Sequence, residues 1–471
     1  MLEVLDSVIL FISGILYQPW FVPLILVAGG LYFTLRMGFL QVRLFKEACS
    51  IILEKPETEG NISSFGALMV STASRVGTGN IIGVSTAICL GGPGAIFWMW
   101  ITAFLGGATA FVESTLAQVY KKKDPDGSCY GGPAYYMQDA LGQRWMGVIF
   151  SILIIGIYAV GYNMLAAYNL QSAFAVFSFY NSSVTPAVIG LILAVLFGAI
   201  IFGGAKRLTM ITEVLVTFMG ILYVLVALLV LLLNFKNLPA MFFGIFSSAF
   251  DFKSIFGGFS GSCIMYGVKR GLYSNEAGMG SAPNASAQAD VSHPARQGLV
   301  QMISVFIDTL LICSATALMC LSTNVEPAPE LAGAPYVQTA MEFALGPFGP
   351  IFLTVSLFLF AFTTLIGNYS YCEGCLEFIL KRKPSRVGLF VFRLAAAALV
   401  FAGAVASANL VWDTADLLQG LIVLVNMPAI LLLGRVAFCC LKDYTDQRKT
   451  IKKPYFHAAN IGLEEKLDFW D

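Results

Sequence analysis

Residues 71–83 read STASRVGTGNIIG. Glycines, an arginine and several hydroxyls stand here inside a stretch, 65–90, that is otherwise apolar enough to cross a membrane, which takes about 20 residues. Backbone that leaves the helix at membrane depth is tolerated only where it is buried in protein or lines a cavity. Gly77 falls about twelve residues into the span, roughly 18 Å at 1.5 Å per residue, just past the middle of an about 30 Å hydrocarbon layer. Unwinding there frees N–H groups at the start of the outer half-helix, whose positive dipole end suits a carboxylate. It also frees carbonyls at the end of the inner half-helix, which suit a small cation. Gly77 and Gly79 let a ligand approach the backbone. The competing reading is a glycine kink or close helix packing, the role assigned to Gly29-Gly30 and Gly106-Gly107.

The surrounding chain is built for a bilayer. Of 471 residues, 58% are hydrophobic and 12% charged, against about a quarter charged in soluble domains. Lys plus Arg and Asp plus Glu both total 28, so the net charge points to no nucleic acid or other oppositely charged partner. Met1 to Gly14 carries no basic residue ahead of its apolar ones, so no cleaved signal is expected. Most cysteines lie in or beside apolar runs, where small buried thiols are ordinary. The pair Cys372 and Cys375 has no second CxxC or histidine cluster with it, and His293 and His457 lie in polar segments, so no metal site is expected.

Eleven spans are expected, at about 18–38, 65–90, 93–120, 145–177, 184–204, 208–234, 254–272, 298–322, 348–380, 387–408 and 415–440. One set of loops and flanks holds 24 of the Lys and Arg residues, counting Lys269 and Arg270, against Lys236 and Lys253 on the other. That bias places the C-terminus in the cytoplasm and, with eleven spans, the N-terminus outside. A second glycine-rich interruption, GGFSGSCIMYGVKRG at 257–271, opens the seventh span as GTGN interrupts the second. Without the first helix the chain reads as five plus five spans, each half beginning with a broken helix. An odd number per half inverts the second half, as in many secondary transporters.

Few other polar groups reach membrane depth. Asp308 lies near the midplane of the eighth span, where a carboxylate is a functional candidate or a partner in an interhelical hydrogen bond. Thr363 and Thr364 in the ninth either bond back to their own helix or complete an oxygen shell for a hard cation. Glu113, Glu213, Glu276 and Glu373 fall near cytoplasmic ends and are set aside as site residues, although Glu276 with Arg270 would make an inner gate. Arg75 either pairs with an acid below the break or snorkels inward. An enzyme would need a nucleophile with its base or a metal cluster, and a channel repeated pore-lining rings. Neither pattern is present, and there is no phosphate-binding GxxxxGK[ST].

The segments RVGTGNIIGVSTAI, GGPGAIFWMW, YGGPAYYM, KRGLYSNEAGMGSAPNA, HPARQG and FAFTTLIGNYSY resemble the alanine or glycine:cation symporter family of bacteria and archaea. The resemblance implies an all-α, polytopic LeuT-type fold of five plus five inverted helices with one extra N-terminal helix. It implies import of a small amino acid with sodium or protons, no cofactor, and residence in a prokaryotic cytoplasmic membrane as a monomer. The expected parts are 1–64 (first helix and linker), 65–234 and 254–440 (the two repeats) and 441–471 (a solvated cytoplasmic tail). It further implies that the amides of Gly77, Thr78 and Gly79, with Asn80 beside them, receive the substrate carboxylate. The carbonyls of Ala73 and Val76 with the hydroxyls of Thr363 and Thr364 would bind sodium. Tyr266, Gly267 and Gly271 would hold the amino group or shape the pocket, and Asp308 would serve a further sodium or the amino group. Asn368 and Ala166 stand where many members have tryptophan and glutamine, which implies a roomier, more polar pocket and makes glutamine a credible substrate.

Overall fold

The computed structural model describes residues 2–54, 56–58, 61–124, 128–251, 262–463 and 467–470, with backbone alone for 2–6, 205–209 and 213. The chain is a bundle of helices, and one two-residue antiparallel ladder, Lys122–Lys123 with Cys129–Tyr130, closes a loop at its edge. Among the described residues seven helices are long and apolar enough to cross a membrane: Gly94–Val119, Arg144–Val176, Met210–Leu233, Pro294–Leu321, Phe348–Leu380, Arg386–Val405 and Ala408–Arg448. Shorter apolar helices include Val22–Arg36, Thr78–Gly91 and Thr185–Ile201. Together they make an all-α, multi-pass membrane protein.

Burial separates the inside of the bundle from its rim. The apolar window of Phe348–Leu380 is 78% buried and that of Arg386–Val405 only 22%. On the rim helices Val195, Val214, Leu225 and Val387 are exposed, an apolar surface that only lipid covers without penalty. At the centre lie buried polar side chains: Ser71, Thr72, Arg75, Asn80, Glu113, Ser274, Glu276, Asp308 and Asn368. A buried charge demands partners, so the centre of the bundle is where chemistry has to be sought.

Several elements differ from expectation. A separate helix, Leu2–Leu16, precedes the first span and packs along the last. Short helices at Phe45–Ile52, Pro133–Asp139, Leu238–Ala249 and Ala334–Leu345 connect the long ones. The seventh segment is a continuous helix over Cys263–Asn275, started by the Ser262 side chain accepting from the Met265 amide at 3.2 Å. Residues 257–261 of the expected interruption lie outside the described residues. The break in this segment comes later, at Glu276–Ser281, before the short helix Ala282–Ser286. Its turn requires left-handed backbone at Gly278 (φ 97°) and Gly280 (φ 76°), which glycine adopts without steric cost.

That shift relocates Lys269 and Arg270. Arg270 makes two hydrogen bonds to Asp416, at 3.0 and 3.3 Å, and Lys269 lies 2.7 Å from the same carboxylate. Asp416 is near the start of Ala408–Arg448, whereas Arg448 and the basic tail are at its end. The two cations therefore sit towards the opposite end of this helix from the basic cluster they were counted with, and Arg270 does not meet Glu276.

The tail is solvated only in part: residues 448–453 are exposed, but side chains beyond them are buried. Phe456, Leu467 and Trp470 are buried. The Phe456 amide donates to Ser292 O at 3.0 Å, and Trp470 Nε1 donates to Gln118 O at 2.7 Å. Lys121 is buried beneath Phe469, its ammonium 3.8 Å from the ring centre.

Candidate functional site

The first break begins where Ser64–Arg75 stops. Val76 N still donates to Thr72 O at 2.7 Å, but Val76 takes ψ 84° and Gly77 an extended backbone. The next amide does not continue the ladder: Gly77 N–H donates to Asn80 Oδ1 at 2.9 Å. Asn80 N–H in turn donates to Gly77 O at 3.2 Å, closing a 3-10 turn over Thr78–Asn80. The carbonyls of Ala73 and Val76 thereby lose their helical donors. No hydrogen bond to the amides of Thr78 and Gly79 is found among the described residues. Of the three amides expected to face a carboxylate, Gly77 is occupied within the chain and two remain.

Three elements converge on this turn. Phe348–Leu380 crosses it so closely that a side chain on Gly77 would overlap the Thr364 hydroxyl, and one on Gly367 would come within 2.5 Å of the Ser74 amide nitrogen. Thr364 Oγ1 is buried with no hydrogen-bond partner among the described residues. An orphaned hydroxyl beside two released carbonyls is the donor set a small hard cation fits. Thr363 is turned away: its hydroxyl bonds Leu359 O and Phe360 O and lies 3.7 Å from Met219 sulfur.

Pro294–Leu321 supplies Asp308, within a π-helical stretch over Phe306–Cys313. Its carboxylate accepts from Asn80 Nδ2 at 2.6 Å, Ser274 Oγ at 2.5 Å and Thr309 Oγ1 at 2.8 Å. The interhelical hydrogen bond expected as one reading of Asp308 is present, and it reaches the first break, because Asn80 accepts the Gly77 amide with its other end.

The second break supplies Tyr273, Ser274 and Glu276. Tyr273 stacks over Gly79, where a β-carbon would come within 2.8 Å of its ring. Its hydroxyl is 3.4 Å from Thr78 Oγ1, and its ring packs edge-on against Tyr162 and Trp412. Glu276, in left-handed backbone (φ 55°), is fully buried, and its carboxylate accepts from Ser281 Oγ at 2.6 Å and Ser74 Oγ at 3.4 Å. Arg75 stands 3.9 Å from it.

These groups enclose a cavity of about 10 Å³, lined by Ser74, Arg75, Gly77, Thr78, Gly79, Tyr162, Tyr273, Glu276 and Thr364. That is room for about one water, so an amino acid enters only if the two breaks part. On the far side of Tyr273 a vestibule of about 700 Å³ opens, lined among others by Tyr17, Asn169, Tyr266, Arg270, Trp412 and Asp416. Asn169 Nδ2 donates to Thr78 Oγ1 at 3.1 Å, so the wall between vestibule and cavity is Tyr273, Thr78 and Asn169.

Other expected site residues lie elsewhere. Tyr266 faces the vestibule. Gly267 and Gly271 face Gly94–Val119, where β-carbons would crowd Trp98 and the Ala95 carbonyl, or the Thr102 hydroxyl. They let two helices approach closely. Asn368 does not line the cavity: its amide donates to Asn163 Oδ1 at 2.9 Å and accepts from Ser74 Oγ at 2.6 Å, so it steadies the inner half-helix. Glu276 and Tyr273 were missed because hydropathy placed them at a span end. The signal available was the pair of glycines in NEAGMGS, two residues apart as in GTG.

A sequence model of the sodium:alanine symporter family matches residues 2–458. A Bacillus subtilis protein named as a probable sodium/glutamine symporter, GlnT, is 43% identical over 473 residues, covering 100% of this chain and 97% of that protein. The amino-acid carrier protein AlsT of the same organism is 44% identical over 447 residues, with 95% and 94% covered. The sodium/alanine symporter AgcS of Methanococcus maripaludis is 38% identical over 453 residues, with 94% and 98% covered.

Proposed function

The chain belongs to the sodium:alanine symporter family and is a sodium-coupled amino-acid symporter, not an enzyme; from that premise we propose that its cargo is a small neutral amino acid, alanine or glycine. The observation that supports this most directly is the meeting of two helix breaks around one buried cavity, where two amides and one hydroxyl have no hydrogen-bond partner among the described residues. In this reading the amides of Thr78 and Gly79, at the positive end of Ile82–Gly91, take the carboxylate. Ala73 O, Val76 O and Thr364 Oγ1 take one sodium, and Asp308, with the Ser274 hydroxyl beside it, takes a second cation. A cation bridging the first break and Phe348–Leu380 favours the assembled site, so sodium and substrate each raise the other's affinity.

The architecture belongs to the same proposal. We read eleven spans, one followed by two inverted repeats of five over 65–234 and 254–440, in a LeuT-type arrangement with the C-terminus in the cytoplasm of a prokaryotic inner membrane. The chain acts as a monomer in this reading. Glutamine is the second candidate cargo, favoured by the relative named as a sodium/glutamine symporter. The departure at Asn368 no longer argues for it, because that side chain is engaged with Ser74 and Asn163.

Uptake of labelled alanine, glycine and glutamine into proteoliposomes, under an inward sodium gradient, an inward proton gradient or none, tests the proposal. Saturable sodium-driven accumulation of alanine or glycine is expected. Accumulation of glutamine alone would replace the cargo, and accumulation under the proton gradient alone would replace the coupling ion.

A further inference from the structure

One buried carboxylate and one buried guanidinium face each other across the floor of the cavity without bonding. Arg75 donates from Nη1 to Ser304 Oγ at 3.0 Å, while its Nε and Nη2 find no hydrogen-bond partner among the described residues. Its nearest carboxylate oxygen, Glu276 Oε2, is 3.9 Å away. A charge-assisted N–H···O bond is about 2.7–2.9 Å long, so the two are neighbours rather than a closed pair. Asp308 and Glu113, the other buried acids around the breaks, are differently held: Asp308 by Asn80, Ser274 and Thr309, and Glu113 by Asn426 Nδ2 at 2.6 Å. Arg75 acts electrostatically on all three acids, but Glu276 is the one within 4 Å of it and without a side-chain amide donor, and both line the cavity with Thr78 and Gly79.

A buried carboxylate at membrane depth needs a positive partner in every state through which the protein passes. An α-amino acid supplies one: once the breaks have parted to admit it, with its carboxylate on the amides of Thr78 and Gly79, its ammonium lies one carbon away in the cavity that Glu276 lines. We propose that Glu276 receives the substrate's ammonium, and that Arg75 stands in for that ammonium when the carrier has released its cargo. In the loaded carrier Glu276 is neutralised by substrate. In the unloaded one Arg75 closes the 3.9 Å gap and satisfies its open N–H groups. The unloaded carrier can then reorient without an unpaired buried charge, which net uptake requires and exchange does not.

This inference rests on the amino-acid reading of the site, and the test separates the two. In proteoliposomes, net sodium-driven alanine uptake and alanine counterflow are measured for the native chain, Arg75→Gln, Glu276→Gln and the double variant. For Arg75→Gln the ratio of net uptake to counterflow should fall about tenfold or more, because only the unloaded return step is blocked. For Glu276→Gln the alanine concentration giving half-maximal counterflow should rise about tenfold or more, the scale of a lost charged hydrogen bond. The double variant should regain net uptake relative to Arg75→Gln. Parallel loss of both activities in Arg75→Gln, or an unchanged half-saturation in Glu276→Gln, would overturn the inference while leaving the symporter intact. Failure of the native chain to accumulate any amino acid would instead overturn the substrate reading on which it stands.

Discussion

At the scale of single residues, adjacent threonines illustrate how little composition says about role. Thr363 and Thr364 share chemistry and depth, yet successive helical positions point about 100° apart, so only one can face the first break. Thr364 holds against Gly77 a hydroxyl with no hydrogen-bond partner among the described residues, and Thr363 spends its own on Leu359 and Phe360. Thr364→Ala should raise the sodium concentration for half-maximal transport about tenfold, the effect of losing one ligand worth about 1.4 kcal/mol. Thr363→Ala should shift it far less, and sodium titrations of uptake compare them; equal shifts would remove the distinction. Asp308→Asn keeps the size of the side chain but turns an acceptor of three hydrogen bonds into a group that also donates. It should weaken sodium activation and lower thermal stability together, because Asn80 loses its anchor. A stable protein with native sodium dependence would exclude Asp308 from the coupling.

At the scale of elements, the two breaks are made by different means. The first is an extended glycine followed by an asparagine that caps its own turn. The second is a run of left-handed backbone at Glu276, Gly278 and Gly280. A β-carbon at Gly280 would sit within 2.9 Å of both Asn426 and Pro133, and its backbone is one that L side chains adopt at a cost of about 1–2 kcal/mol. Gly280→Ala should therefore lower the melting temperature and abolish transport more completely than Gly374→Ala, where the added methyl meets open space. Comparable behaviour of the two variants would mean that the second break is not a required geometry. Bulk at Gly271, against Thr102 and Met99, should disturb stability rather than substrate preference, since that face packs helix on helix. Assays of Gly271→Val that showed altered selectivity at native stability would return it to the pocket.

At the scale of the whole molecule, the last helix ties the site's surroundings to the tail. Asn426 on that helix bonds Glu113 and the Gly278 carbonyl, and beyond Arg448 the chain folds back over Gln118, Lys121 and the segment that follows the second break. His293 stands at the junction: its Nδ1 accepts the Ala295 amide, its Nε2 faces Asp443 at 3.1 Å, and Phe456 and Tyr444 pack on the ring. Burial pushes this imidazole below its ordinary value, the Asp443 carboxylate only partly opposing. Because the free ring titrates near 6.5, the packed junction binds fewer protons than the opened one as pH falls through that value. Docking of the tail is then fully favourable above about pH 6.5 and is lost progressively below it. Hydrogen-exchange protection of residues 449–463, each rate being divided by the intrinsic base-catalysed rate at that pH, should fall between pH 7.5 and 5.5, and His293→Gln should flatten that dependence. Protection independent of pH in the native chain would contradict it.

Local composition determined that this is a membrane-embedded helical protein and that the helix from Ser64 breaks at the glycines that follow Arg75. These depend on hydropathy over about 20 residues and on glycine's missing side chain, both readable along the chain. The location of the second break was less legible, because hydropathy drew attention to glycines at 257–271, and the helix over Cys263–Asn275 tolerates its own glycines as packing surface. Only the tertiary structure decided that Glu276 and Arg75 share the cavity, that Asn368 braces Ser74, that Arg270 joins Asp416, and that the tail is docked. Each of those outcomes is a meeting of residues some 140 to 350 positions apart. Such partners are chosen by the burial of charge and by the packing of whole helices against one another, and neither is a property of any single stretch of sequence.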